Sequence, residues 1–415
     1  MRVCFLTLGT RGDVQPYLAL AKYIINKGHS AIICTSESFK NLVKKEGVEF
    51  ASAALDLMAL SQSDIGKKVL EHPIKNIKLT LKVSKEIMRP QYRQTFDDFY
   101  NACKNADIIV YHSKALVAID IAEKLHIPAV HMPPIPVIQP ITEFPSIAIS
   151  SNQNFGGFIN KMTYASNTKS DSGFIKEIND FRDKTLLLPE RKPGEYTYYY
   201  KGNKIPIVYP ISNYLFKHVS SWKNEVFLSG FFFLNENTEL SEEVQNFIIK
   251  GAKPIIVSFS SMPISKPEIF IDNLLNALKK TGNRAVILKG SGGINLENSD
   301  NIYVVESLPH IMLFEKSKGV IHHGGVGTTA AALLAGIPQM IIPFSVDQPF
   351  WAKCMFENGV ATEPIKQNEL NEQKLIQYLQ EMDNPKMIDK AKKLSEIIKK
   401  EEGLEKAYNY LMNLT

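Results

Sequence analysis

The chain has 415 residues, 44% of them apolar and 22% charged, with 48 basic against 43 acidic side chains. That length implies two or three domains, and that composition is ordinary for a globular protein and excludes general disorder. The net charge of +5 is too small for a nucleic-acid binder, and it is unevenly spread. Residues 65–93 hold eight basic side chains (Lys67, Lys68, Lys75, Lys78, Lys82, Lys85, Arg89, Arg93) against Glu71 and Glu86, while the remainder is close to neutral.

The first apolar run, residues 3–8, reads as a strand buried on both faces of a parallel sheet. A turn, Gly9-Thr10-Arg11-Gly12-Asp13, leads into a helix marked by Leu18, Ala21, Ile24 and Ile25 and ended by Gly28. Residues 30–35, 108–111 and 129–132 read as further strands, with a helix over 116–125. In the basic segment, Pro73 starts a helix on which Ile74, Ile77, Leu81 and Met88 share one face. Lys75, Lys78, Lys82, Lys85 and Arg89 gather on a neighbouring arc. Two readings stand there: a solvated helix whose apolar face joins the core, or a surface that meets an anionic membrane or an acidic acceptor.

Five prolines between residues 133 and 145 mark a loop, and the aromatics of 196–234 suit core and interface packing. Residues 235–243 are the linker candidate. Beyond it the alternation restarts: strands at 254–259, 285–289, 302–306, 319–321 and 339–342, and helices at 270–280 and 328–335. The expectation is an α/β protein of two Rossmann-like domains facing each other across a cleft. The boundaries drawn are 1–234, the linker, 244–395, and a C-terminal helix over 396–415 packing back on the first domain. Cys4, Cys34, Cys103 and Cys354 form no CxxC pair, which fits a reducing compartment and gives no zinc spacing. The start lacks a signal-peptide pattern and no apolar run is long enough to span a bilayer, so a cytoplasmic location is expected.

The most informative stretch runs from residue 319 to residue 338. An apolar strand enters His322-His323-Gly324-Gly325-Val326-Gly327-Thr328-Thr329 and then an alanine-rich helix. Glycines admit a ligand close to the backbone, and free N–H groups at a helix start suit phosphate. Thr328 and Thr329 can donate hydroxyls or cap that helix. The spacing is neither GxGxxG nor a Walker A loop, which disfavours a nicotinamide dehydrogenase and an ATPase. Asp347 and Gln348, after the strand at 339–342, offer groups suited to sugar hydroxyls, or form a turn before Pro349.

The run HHGGVGTTAAALLAGIPQMIIPFSVDQPFWA resembles the donor-binding signature of nucleotide-sugar glycosyltransferases of the GT-B fold. It is most similar to the branch of sterol 3-β-glucosyltransferases and vancomycin-type antibiotic glycosyltransferases. GTRGDVQPYLAL at residues 9–20 resembles that branch's opening motif, and the likeness extends over nearly the whole chain. The resemblance implies that His322, Gly324, Gly325, Gly327 and Thr328 hold the donor diphosphate and that Asp347 and Gln348 touch the transferred sugar. It implies that Ser261 contacts phosphate, although Ser258 and Ser260 stand where the family has glycines. Leu308 and His310 would bind the base. Asp13 would be the general base of an inverting transfer, and it is also placed to cap a helix beginning near Val14. Thr10 and Arg11 would orient acceptor or phosphate. No DxD triplet occurs, which agrees with metal independence and with no cofactor beyond the nucleotide sugar, a UDP-sugar in preference to a dTDP-sugar. The implied acceptor is a lipophilic molecule with a hydroxyl, such as a sterol. Residues 65–93 would then be a peripheral contact with an anionic membrane. The alternative is a catalytically silent sugar-nucleotide-binding or scaffolding protein of the same fold.

Overall fold

The computed structural model describes the chain except residues 72–75, 152, 235–238, 260–266, 291–295 and 345. Two five-stranded parallel sheets organise it. The first contains β1 (Arg2–Leu6), β2 (Ser30–Ser36), β3 (Glu49–Ala53), β4 (Ile108–Tyr111) and β5 (Ala129–His131), in the spatial order 3-2-1-4-5. The second contains β6 (Ile255–Ser258), β7 (Ala285–Leu288), β8 (Ile302–Val305), β9 (Gly319–His322) and β10 (Gln339–Ile341), in the order 8-7-6-9-10. Both orders reverse direction beside the first strand of their sheet. That creates a crevice at the carboxyl ends of the neighbouring central strands, where α/β sheets bind ligands. In the first half the crevice lies between β1 and β4, paired with Leu6 opposite Tyr111. In the second it lies between β6 and β9, paired with Ser258 opposite His322.

The central strands are largely apolar runs because both faces are covered. Val3 and Phe5 pack with Val14, Leu18 and Ala21 of helix α1 (Arg11–Asn26), while Cys4 and Leu6 pack on the other side with Phe96 and Phe99. The last helix, Gly403–Met412, places Ala407 and Leu411 in the first sheet's core. The preceding helix, Pro385–Lys399, runs through residue 396, so the expected boundary there falls inside it. A third core joins the halves: Tyr209, Phe216 and Trp222 pack with Leu333 and Trp351 of the second half. The aromatic stretch is thus mostly interior, with Tyr199 and Tyr214 exposed exceptions.

Two local expectations need correction. Helix α1 starts at Arg11 with Thr10 at its N-cap, so Asp13 stands inside the first turn and does not cap a helix at Val14. After Pro73 the helix described is Ile77–Val83, continued by Ser84–Met88 and Arg89–Cys103, and Ile77 and Leu81 are 52% and 62% exposed. The start of the expected apolar face stands out from the core, whereas Met88 further along packs against it. Pro73, Ile74 and Lys75 lie outside the described residues, as do residues 235–238 of the linker candidate, whose end already forms helix Glu242–Ile249.

Candidate active site

The end of β1 and the start of α1 build one wall. Gly9 has φ +140°, and a Cβ there would overlap the Asp13 carboxylate and lie 2.7 Å from Lys114 Nζ. Glycine is required because the chain must turn where those two side chains meet. The Thr10 backbone N–H donates to Asp13 Oδ2 at 2.7 Å, and Thr7 Oγ1 donates to the Asp13 carbonyl at 2.7 Å. From the end of β4, His112 Nε2 lies 3.1 Å from Asp13 Oδ1 and Lys114 Nζ 3.1 Å from Asp13 Oδ2.

The backbone N–H of Lys114 donates to His112 Nδ1 at 3.0 Å. Nδ1 is therefore an acceptor and Nε2 carries the proton, so a neutral imidazole donates to Asp13. Burial pulls the His112 pKa below its usual value against the pull of Asp13, in agreement with that tautomer. Burial pushes the Asp13 pKa up, but the His112 hydrogen bond, the Lys114 charge and the Thr10 N–H outweigh it. The carboxyl is held well below the ordinary range.

The opposite wall comes from the second sheet. Strand β9 ends at His322, and helix α2 (Val326–Ala335) begins after Gly324 and Gly325. His322 is fully buried: its Nε2 bonds Gln339 Oε1 at 3.0 Å, and its Nδ1 accepts from the Gly324 N–H at 3.1 Å. Both ring nitrogens are spent on the loop itself. His322 shapes the loop and has none left for a phosphate, because burial leaves it neutral with its proton committed to Gln339, its pKa lowered to about 3. The neighbouring His323 differs. Its Nδ1 is buried without a partner among the described residues, and burial lowers its pKa to about 4.

The glycines of this loop answer to different constraints. Gly324 has φ +90°, and a Cβ there would press to 2.8 Å from Ile341 Cγ2 and 3.1 Å from the Gln348 carbonyl. At Gly327 a Cβ would meet nothing within 4 Å. Protein packing requires Gly324 and leaves space at Gly327, on the first turn of α2, where free N–H groups face outward. Thr328 and Thr329 are the third and fourth residues of α2 and do not cap it, since Gly325 holds the N-cap position. The Thr329 hydroxyl is buried without a partner among the described residues.

After β10, Val346 takes φ +58° and is 71% exposed. A β-branched residue in that region is strained, and the strain sits directly before the candidate sugar-binding pair. Asp347 caps helix α3 (Gln348–Glu357) by position, and its Oδ2 accepts from Trp351 Nε1 at 2.9 Å. Gln348 Oε1 accepts from the Phe344 N–H at 2.8 Å. Burial raises the Asp347 pKa to about 6, with the Asp13 charge adding to it and Trp351 and Lys114 opposing. Asp13 and Lys114 therefore lie within electrostatic reach of Asp347 across the cleft. His310 makes a second link: it stacks on Phe314, its Nε2 lies 3.2 Å from Ser258 Oγ, and burial followed by the Arg11 charge lowers its pKa to about 4.

Residues 3–137 match the model of the glycosyltransferase family 28 N-terminal domain. Residues 285–401 match that of the erythromycin biosynthesis protein CIII-like C-terminal domain. The sterol 3-beta-glucosyltransferase UGT80A2 of Arabidopsis thaliana is 32% identical over 97% of this chain and 64% of its own length. UGT80B1 of the same plant is 30% identical over 98% of this chain and 67% of its own. The chain belongs to the GT-B glycosyltransferases.

This glycosyltransferase spans about two thirds of the plant relatives and only 33% of a sterol 3-beta-glucosyltransferase from Pichia angusta, which is 30% identical over 99% of this chain. Solved structures share the fold at lower identity. The glycosyltransferase of kitacinnamycin superposes with TM-score 0.71 at 16% identity, over 100% of this chain and 98% of its own. The calicheamicin glycosyltransferase CalG4 superposes with TM-score 0.70 at 15% identity over the same shares.

The structure of the glycosyltransferase brings Arg11 within electrostatic reach of His310 and Asp13 within reach of Asp347, with Thr10 and Gln348 adjoining them in the chain. Gly324, Gly325, Gly327 and Thr328 lie in the loop and first turn of α2. Leu308 packs beside the core formed by Leu313 and Phe314. Ser261 and its neighbour Ser260 lie outside the described residues. Sequence reasoning passed over His112 and Lys114, and it assigned the loop's phosphate role to His322, whose ring nitrogens are both engaged, and not to His323, whose Nδ1 has no partner among the described residues. The signal for the first two was present: they follow β4 at the carboxyl edge of the sheet.

Proposed function

We propose that this glycosyltransferase moves a hexose, glucose from UDP-glucose in first place, to the hydroxyl of a lipophilic acceptor of the sterol class, with inversion and without a metal. The observation that carries this reading is the Asp13 carboxylate, oriented by a neutral His112 at the cleft and facing Asp347. The acceptor oxygen attacks the anomeric carbon while Asp13 takes its proton. The bond from that carbon to the diphosphate breaks, and the leaving group gathers charge at the α2 N-terminus, within reach of His323. Asp347 and Gln348 hold the sugar hydroxyls. Sterol as acceptor class is supported by the relatives' names and by near-complete coverage of this chain.

The test is direct. Purified protein is incubated with UDP-glucose or dTDP-glucose and a sterol in detergent micelles, and products are read by mass spectrometry and anomeric configuration by NMR. A β-glucoside from UDP-glucose supports the reading; donor turnover absent with every sterol overturns the acceptor class.

The basic segment bears on how such an acceptor is met. Among the described residues no helix is long and apolar enough to cross a membrane. Ile77 and Leu81 are exposed beside exposed Lys78, Lys82 and Lys85. That combination favours a peripheral contact with an anionic membrane, worth about 1 kcal/mol per lysine near the surface. Salt-sensitive sedimentation with phosphatidylserine vesicles reads it, and no binding at low salt removes it.

A further inference from the structure

Asp13 Oδ2 is crowded by hydrogen-bond donors. Its Oδ2 receives the Thr10 N–H at 2.7 Å, the Thr10 hydroxyl at 3.2 Å and the Lys114 ammonium at 3.1 Å. Its Oδ1 receives His112 Nε2 at 3.1 Å. Oδ1 faces the buried ring of His112, so an acceptor entering from the exposed side meets Oδ2, and there one of three donors must give way. The Thr10 N–H belongs to the backbone entering α1. His112 has a side chain 7% exposed and is pinned at both nitrogens. Lys114 has a side chain 39% exposed, on a flexible four-carbon stem. Apart from the neutral Thr10 hydroxyl at 3.2 Å, it is the donor that can move.

We propose that Lys114 is a latch on Asp13, drawn off the carboxylate when the donor's diphosphate binds and takes over the ammonium. The proposal rests on the reading of Asp13 as the base. It makes Lys114 a positioning residue, because it neither gives nor takes a proton. In the step itself the acceptor proton passes to Asp13 Oδ2 as the new C–O bond forms, and the UDP anion leaves. The latch decides when Oδ2 is open to receive that proton.

Three observations support the exchange. Gly9 clears the volume in which ammonium and carboxylate meet, and any side chain there would occupy it. Lys114 already acts on Asp347 across the cleft, so its charge reaches the wall where donor sugar and diphosphate would lie. A diphosphate carries more negative charge than the single carboxylate, so it competes for the ammonium with advantage. The charged and titratable groups facing Asp13 are His112 and Lys114 from the segment after β4, Tyr17 on its own helix, and Asp347 from the second half. Of these Lys114 alone is cationic while His112 is neutral. Masking the base until the donor is present also makes acceptor activation follow donor binding.

The experiment measures UDP affinity by calorimetry for wild type, Asp13→Asn, Lys114→Met and the double variant. The latch predicts that Asp13→Asn tightens UDP about two- to fivefold by freeing Lys114, the range expected of a half-exposed ion pair. It also predicts that this gain is lost when Lys114→Met is present. The same factor with and without Lys114 overturns the proposal. A second readout is the pH profile of kcat/KM in an Asp347→Asn background, which removes the Asp347 titration near pH 6: removing a cation beside Asp13 raises its pKa, so adding Lys114→Met moves the acid limb to higher pH and Lys114→Arg restores it. An unmoved limb contradicts the latch. An Asp13→Asn enzyme with wild-type turnover overturns the base reading itself, whereas an inactive one with uncoupled UDP affinity overturns the latch alone.

Discussion

The backbone N–H of Lys114 donates to Nδ1 of His112 at 3.0 Å, and that contact decides which nitrogen carries the histidine's proton. With Nδ1 engaged as acceptor, the proton sits on Nε2 and points at Asp13 Oδ1. The orientation of the candidate base is thus set by a peptide group, which side-chain substitution at position 114 leaves in place.

His112→Phe removes the hydrogen bond and keeps the buried ring volume. A hydrogen bond to a charged group contributes about 1.5–3 kcal/mol. The expected result is a fall in kcat of about 10- to 100-fold with donor KM little changed, measured by steady-state kinetics at pH 7.

The two loop histidines separate by readout. His323→Ala is expected to weaken UDP binding about tenfold while thermal stability hardly moves, the size of one charge-assisted hydrogen bond. His322→Ala leaves the Gly324 N–H and Gln339 Oε1 without their partner in a buried site, at a cost of about 2–4 kcal/mol. Calorimetric titration and thermal melts on both variants distinguish ligand contact from loop support.

Gly327→Ala adds a methyl to open space on the first turn of α2. Exchange of glycine for alanine in a helix stabilises by up to about 1 kcal/mol. The variant is expected to melt no lower than wild type yet to bind UDP at least about tenfold more weakly, because the added carbon stands where the diphosphate approaches. Gly324→Ala, strained at φ +90° and pressed against Ile341, is expected to lose stability instead.

Asp347 carries its own pH signature. Burial raises its pKa to about 6, above the value near 4 expected in the unfolded chain. Between those values the folded state binds the extra proton, so the stability it contributes is full below about pH 4 and is lost as pH rises through 6. Asp347→Asn removes that dependence. Relative to wild type its Tm is expected to rise between pH 4 and pH 6 and stay higher at pH 7, while the KM for the donor increases through loss of a sugar contact.

Much of the fold is legible in the sequence because buried parallel strands are unbroken apolar runs. The strand expected at 108–111 is the one observed, and those at 285–289 and 302–306 differ by a single terminal residue. Strand β3, EFASA, was passed over because Glu49 and Ser52 are polar in an edge strand buried only in part. Helix Arg89–Cys103 was hidden by the polar and charged residues spread along it, although Tyr92, Phe96 and Phe99 are buried. At the site, local motifs bring forward Asp13, the glycine loop and Asp347–Gln348 as candidates. The Asp13–His112–Lys114 cluster is not local: it exists because β1 and β4 lie side by side, a fact of sheet order. The roles of His322 and His323 depend on which ring turns inward, and adjacent identical residues carry no sign of that.

The account's central claim is that Asp13 takes the acceptor's proton. Single-turnover glucose transfer to a sterol by Asp13→Asn, with UDP affinity and melting temperature measured on the same preparation, tests it most directly. The account predicts a rate lower by about 10²- to 10⁴-fold, the usual contribution of a positioned general base, with folding intact and UDP still bound. Transfer at the wild-type rate by the folded variant would contradict it.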